Sequence, residues 1–192
     1  MGAAGAASDP LYVDDVFSTF LYTGNSTARS INNGIDLDGE GGMVWVKTRN
    51  TSVRHGLFDT ERGTGKVVLP NENWAQVTDN TELTSFNSNG FSLGDNSGGY
   101  QFSNINNNTY ASWSFRKAPG FFDVVTYTGN GSHRDISHSL GSEPGSIWIK
   151  RTDGNESWIC YHRSLDQGGG GTASTAHMAG LELESSGGQY GG

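Results

Sequence analysis

Apolar and polar positions along this chain alternate in short bursts. The segments Val16 to Thr23 (VFSTFLYT), Met43 to Thr48 (MVWVKT), His55 to Thr60 (HGLFDT), Lys66 to Leu69 (KVVL), Gly90 to Gly94 (GFSLG) and Thr109 to Phe115 (TYASWSF) are β-branched or aromatic and bounded by Gly, Asn or Asp. Such short runs between turn-forming residues predict strands, and their rhythm predicts a sandwich. In TYASWSF the alternation places Tyr110, Ser112 and Ser114 on one face and Ala111, Trp113 and Phe115 on the other, as in a half-buried strand. No segment has a convincing amphipathic helical period. The one candidate, Ala173 to Glu184, is interrupted by Gly180 and flanked by glycine runs.

The pattern is written twice. With Phe17 set against Phe122, Tyr22-Thr23-Gly24-Asn25 aligns with Tyr127-Thr128-Gly129-Asn130, Arg29 with Arg134 and Ile31 with Ile136, without a gap. After a two-residue deletion Leu37 meets Leu140, Glu40 meets Glu143, Gly42 meets Gly145, Trp45 meets Trp148 and Lys47 meets Lys150. This is an internal repeat of roughly 100 residues. Each copy reads as a strand, a Gly-Asn turn, a second strand and a tight entry into a strand carrying Trp. Gly24-Asn25 and Gly129-Asn130 are expected at positive φ, and Trp45 and Trp148 are expected to be buried, each worth about 2 to 3 kcal/mol.

The expected architecture is all-β, a β-sandwich of jelly-roll or concanavalin-like type, in two related units: an N-terminal arm over 1–16, a first repeat over 17–117 and a second over 118–192. The second repeat is incomplete, since the sequence ends in GGQYGG before any counterpart of GFSLG or TYASWSF. Either a neighbouring chain supplies the terminal strands or the sequence is the front part of something longer; a strand without its ladder partner exposes backbone groups, which favours association.

Composition narrows the function. Among 192 residues there are 29 Gly and only 33% hydrophobic residues, consistent with frequent turns and thin cores. A formal charge of -8 excludes the basic footprint of a nucleic-acid binder. The N-terminus MGAAGAASDP has neither a positive n-region nor an apolar h-region, and no apolar run reaches the roughly 18 residues of a membrane helix, so a soluble protein without membrane insertion is expected. The single cysteine, Cys160, lies among apolar residues and reads as a buried structural thiol.

Further residues have chemical readings. Asp36, Asp38 and Glu40 alternate as in a calcium loop, but Lys47 stands where the bidentate Glu of such a loop is required; a solvated turn is the preferred reading, and no metal or cofactor is expected. His55, His133, His138, His162 and His177 show no metal-ligand spacing. Asp59, Glu61 and Arg62 form the most suggestive cluster for acid/base work, yet a salt-bridged turn is preferred because the second repeat has His162 in place of Asp59 and lacks the Glu-Arg pair. No enzymatic constellation is singled out.

The run DPLYVDDVFSTFLYTGN…INNGIDLDGEGGMVWVKTRN…LFDTERG…FNSNGFSLG…YASWSFRKAPGFFDVVTYTGNG…ISHSLGSEPGSIWIKR resembles a repeated domain of structural and tail-fibre-type proteins of marine tailed phages, including cyanophages. The likeness extends from about Asp9 to Ser164; the segment after Ser164 departs from it. It implies a virion component, made in the host cytoplasm and placed in a tail or fibre, with a concanavalin-like sandwich as the associated fold. It supplies no catalytic residues. Two functions follow. In the first, a non-enzymatic structural virion protein assembles with other virion proteins as a homo-oligomer, a trimer by fibre analogy, and Leu11, Tyr12, Asp14 and Asp15 form a docking arm. In the second, a carbohydrate-binding module reads host surface glycans through Trp74, Tyr100 or Tyr110.

Overall fold

The computed structural model describes residues 10–165 and 181–186. The candidate helix from Ala173, His177, and residues 1–9 of the arm lie outside the described residues. A one-turn helix, α1 (Val13–Val16), leads into eleven strands: β1 (Phe17–Thr23), β2 (Arg29–Asn32), β3 (Gly42–Thr48), β4 (Gly56–Asp59), β5 (Lys66–Val67), β6 (Val77–Thr78), β7 (Leu83–Asn87), β8 (Gly90–Leu93), β9 (Thr109–Arg116), β10 (Ser146–Ile149) and β11 (Ile159–His162). All pairings are antiparallel. One sheet has the order β1-β9-β3-β4, a second β2-β8-β7, and two-stranded sheets pair β5 with β6 and β10 with β11.

The first two sheets share one core. Tyr22, Val44, Val46, Phe58 and Tyr110 meet Ile31, Leu83, Phe91, Leu93 and Phe102 in a single buried cluster. Chain order explains why β9 is central: the last strand of the repeat returns between the first and third, so both its edges are paired, while its inner face packs on the second sheet. Its Ser112 and Ser114 are therefore fully buried beside Tyr110, where Ser114 Oγ accepts from Asn33 Nδ2 and Ser112 Oγ donates to the Phe20 carbonyl. The half-buried strand expected from sequence is a core strand whose polar face is the most buried one.

The opposite face of the four-stranded sheet carries Met43, Trp45, Leu57, Trp113 and Phe115. Residues of the second repeat cover it: Trp158 is buried against Met43, Leu57 and Val68, with Phe122, Val124 and Leu183 alongside. The Trp158 Nε1–H donates to the Leu69 carbonyl at 2.9 Å. Further bonds tie 150–155 to the segment after β5: Lys150 Nζ to the Asn73 carbonyl, Gln76 N–H to the Thr152 carbonyl and Ala75 N–H to Asn155 Oδ1. Trp45 and Trp148, expected in interiors, instead meet edge-on between the repeats at 5.9 Å. Trp45 is half-buried and Trp148 exposed, because in β3 the inward positions belong to Val44 and Val46.

The repeat is reproduced in local detail. Trp45 opposes Leu57 and Met43 opposes Asp59 in the first hairpin; Trp148 opposes Cys160 and Ser146 opposes His162 in the second, the same register. The reciprocal backbone bridge Leu57–Val68 returns as Cys160–Leu181. In the duplicated turns, Asn25 Oδ1 accepts from Thr27 N–H as Asn130 Oδ1 does from Ser132 N–H. Likewise Arg29 donates to the Thr23 carbonyl as Arg134 does to that of Thr128. The left-handed residue is Ser26, and Gly131 in the second copy, rather than the Gly-Asn pairs. Gly24 serves a different need: a Cβ there would lie 2.2 Å from the Ile105 carbonyl oxygen.

What the second repeat lacks is the β1 and β2 pairing. In the first repeat β1 bonds to β9 and β2 to β8. Among the described residues the counterparts of β1 and β2 form no strand, whereas the β3–β4 hairpin returns as β10–β11.

Candidate functional site

A groove of about 460 Å³ opens beside the four-stranded sheet, lined by Lys47, Arg54, His55, Asn71, Glu72 and Tyr100. Four pieces of chain build it: the end of β3, the loop leading into β4, the turn after β5, and the segment between β8 and β9 that carries Tyr100. Asn71 Oδ1 accepts the His55 N–H at 2.9 Å, and the Arg54 Nε donates to Glu72 Oε1 at 3.0 Å. The Trp45 indole N–H donates to His55 Nδ1 at 3.2 Å. An accepting Nδ1 puts the neutral ring's proton on Nε2. Burial, and then the neighbouring Lys47 ammonium, lower the His55 pKa to about 4. At neutral pH the groove thus offers a neutral imidazole, an ammonium, an Arg–Glu pair and a carboxamide.

Tyr100 is 41% exposed, and its ring stacks on Phe102 at 5.6 Å with planes only 19° apart. Phe102 belongs to the buried core, so the platform is rigid. A flat aromatic surface beside fixed donors and acceptors suits a polyhydroxylated ring, which stacks its C–H face and pairs its hydroxyls.

The sequence-predicted aromatics separate here. Tyr100 lines the groove. Trp74 stands next to it, but its ring packs on the core and carries the Arg54 guanidinium 4.1 Å above it, so it orients Arg54 instead of offering a free face. Tyr110 is corrected outright: it is 0% exposed, stacks on Tyr22 at 5.0 Å and accepts the Ile105 N–H on its hydroxyl. It is a core residue with no exposed ring face. The polar lining, Lys47, Arg54, His55, Asn71 and Glu72, was missed because it comes from three separated segments with no motif spacing.

The remaining candidates have structural roles. Asp36 Oδ1 accepts from Gly39 N–H, closing the turn, while Asp38 and Glu40 point to solvent. Among the described residues no group of three His, Cys, Asp or Glu side chains converges. Asp59 and Arg62 form a buried pair at 2.6 Å, and Arg62 also donates to the Leu57 carbonyl and to Gln76. Glu61 turns away to Lys117, which also reaches Asp123. Burial works to raise the Asp123 pKa, but the Ser139 N–H and the Lys117 ammonium prevail and lower it. Cys160 is a buried free thiol, its pKa raised by burial and then by Glu184. In the arm, Leu11, Tyr12, Asp14 and Asp15 are exposed, and Asp15 Oδ2 accepts the Tyr12 N–H. No helix among the described residues is long and apolar enough to cross a membrane.

These features define an all-β protein of tandem antiparallel units with a shallow polar groove beside one sheet. The chain belongs to the family described as a domain of unknown function, DUF7483, which matches residues 13–175 and so spans both repeats. No curated protein and no solved structure matches it.

Proposed function

We propose that this protein is a non-enzymatic structural component of a phage virion, placed in a tail or fibre, where it serves assembly and host attachment with other virion proteins. The observation that carries this reading is the rigid coupling of two repeats through one sheet. The first repeat packs its core inward, and the second is fastened to the outer face by Trp158 and the backbone bonds around 150–155. Such a junction transmits load between units in place of a flexible linker. The acidic groups that could have served chemistry are spent on the fold: Asp59 on Arg62, and Glu82 on the Phe102 and Ser103 N–H groups. The sheets sharing the main core are read as a β-sandwich of jelly-roll or concanavalin-like type, and the assembly as a homo-oligomer, trimeric by fibre analogy.

The test is to probe purified virions with antibody to the 192-residue chain by electron microscopy, alongside light scattering of the isolated chain. Label on tails or fibres together with a defined oligomer supports the proposal. Particles that carry none of the protein would end it.

A second reading, recognition of host surface glycans, is favoured by the exposed Tyr100 platform. It predicts saturable binding on a glycan array that Tyr100→Ala abolishes while leaving the unfolding transition in place. Binding undiminished by that substitution would remove the groove from consideration.

A further inference from the structure

The groove beside the four-stranded sheet holds cationic donors that the fold does not use, and the second repeat shows this by contrast. Lys150, the counterpart of Lys47, donates to the carbonyls of Asn73, Arg151 and Glu156 at 3.3, 2.9 and 2.8 Å, which occupies all three of its N–H groups. Lys47 makes only the bond equivalent to the last of these, to the Val53 carbonyl at 3.4 Å. Two of its donors therefore have no partner among the described residues.

Arg54 is oriented without being used up. Its guanidinium lies 4.1 Å above the Trp74 ring, and its Nε donates to Glu72 Oε1 at 3.0 Å. These contacts fix the plane and engage the Nε side. The side chain is still 43% exposed, and among the described residues nothing bonds to Nη1 or Nη2. A planar pair of N–H donors held in a fixed orientation matches the two oxygens of a carboxylate. The hairpin does not need these side chains: Ser157 and Trp158 stand at the positions of Arg54 and His55 in the second repeat, whose hairpin keeps the same register.

Charge selects the anion. Lys47 and Arg54 share the groove with one carboxylate, Glu72, a local excess of one positive charge in a chain of formal charge -8. That excess balances a monoanion, whereas a phosphate dianion would leave repulsion against Glu72 uncompensated. The exposed ring of Tyr100 lines the same groove and offers a flat face to sugar C–H groups.

We propose that the groove binds a saccharide carrying a carboxylate, a uronic- or sialic-acid unit, with the carboxylate on the Arg54 Nη pair and the Lys47 ammonium and the sugar face on Tyr100. The inference rests on the glycan reading above and names the class of glycan. Glu72 Oε2 accepts from a ring hydroxyl, and His55, whose Nδ1 is held by Trp45, donates through Nε2–H.

The test probes the full chain on an array of uronate-bearing, sialate-bearing, sulfated and neutral glycans, then titrates the strongest acidic glycan beside its carboxyl-reduced form by calorimetry. Carboxylate glycans are expected to bind best, the array separating uronate from sialate, and carboxyl reduction to weaken binding about tenfold or more. Arg54→Gln brings the acidic glycan down to the affinity of its reduced form, and Arg54→Lys, which keeps the charge but not the planar pair, does not restore it. Lys47→Met weakens the acidic glycan in the same direction, which keeps the test decisive if the Arg54 variants fold poorly. Neutral or sulfated glycans bound as tightly as carboxylate ones overturn the inference and leave the glycan reading standing. So does acidic binding that neither Arg54→Gln nor Lys47→Met diminishes. An array with no bound glycan removes both.

Discussion

Replacing Trp158 tests the junction on which the two-repeat architecture depends. The side chain is 4% exposed, packs on Met43, Leu57 and Val68, and satisfies the buried Leu69 carbonyl through its indole N–H. Trp158→Ala removes a large buried aromatic and leaves a cavity, which costs about 3 to 5 kcal/mol. Trp158→Phe keeps much of the apolar contact and removes one of two donors to the carbonyl, which still accepts the Glu72 N–H at 3.1 Å, so it costs only about 0.5 to 1.5 kcal/mol. With a urea dependence of about 2 kcal/mol per molar, a loss of about 3 kcal/mol lowers the midpoint by about 1.5 M. Where the second repeat undocks without unfolding the first, the same loss appears as faster amide exchange at Cys160, whose N–H is bonded to the Leu181 carbonyl. An alanine variant with an unchanged midpoint and unchanged exchange at Cys160 would refute the junction.

Three further outcomes follow from buried polar groups. Arg62→Ala strands the buried Asp59 carboxylate and is expected to cost about 3 to 5 kcal/mol in urea unfolding; a change under 1 kcal/mol would mean the pair is effectively solvated. Glu82 is fully buried and accepts from the Phe102 and Ser103 backbone N–H groups and the Ser103 hydroxyl, and the Asn96 amide nitrogen faces the same carboxylate. Glu82→Gln turns an amide toward these donors, an expected loss of about 1 to 3 kcal/mol that calorimetry would detect; unaltered stability contradicts it. His55 carries a folded pKa near 4 against its ordinary 6.5, so the unfolded chain binds the proton first as pH falls. Its contribution is fully present above 6.5, is lost as pH falls toward 4, and levels off below that. An NMR titration placing the ring's midpoint near 6.5 would contradict the half-buried Trp45–His55 contact.

Local patterns were the legible part of this chain. Strand-forming runs, the repeat and the common register of its two hairpins are local properties: alternation selects strands, and Asn25 and Asn130 make the same turn from the same neighbours. The groove was largely hidden, because Lys47, His55, Asn71 and Tyr100 converge only after β3, β4 and β5 are in place. Trp74 and Tyr110 drew attention as aromatics, but aromaticity alone says nothing of whether a ring is free, stacked under Arg54 or enclosed by two sheets.

The sequence by itself determined that the chain is all-β, that it is written twice and where its turns fall, since these depend on residue conformations within a few positions. Only the tertiary structure decided which face of each strand is buried. Ser112 and Ser114 lie in the core because they share with Tyr110 the face of β9 that packs on the second sheet, and Trp45 and Trp148 meet between repeats because Val44 and Val46 hold the inward positions. The same long-range pairing decided that similar local sequence yields paired strands in one repeat and, among the described residues, unpaired chain in the other. A strand is completed by its neighbour's backbone, and that neighbour is specified far away along the chain.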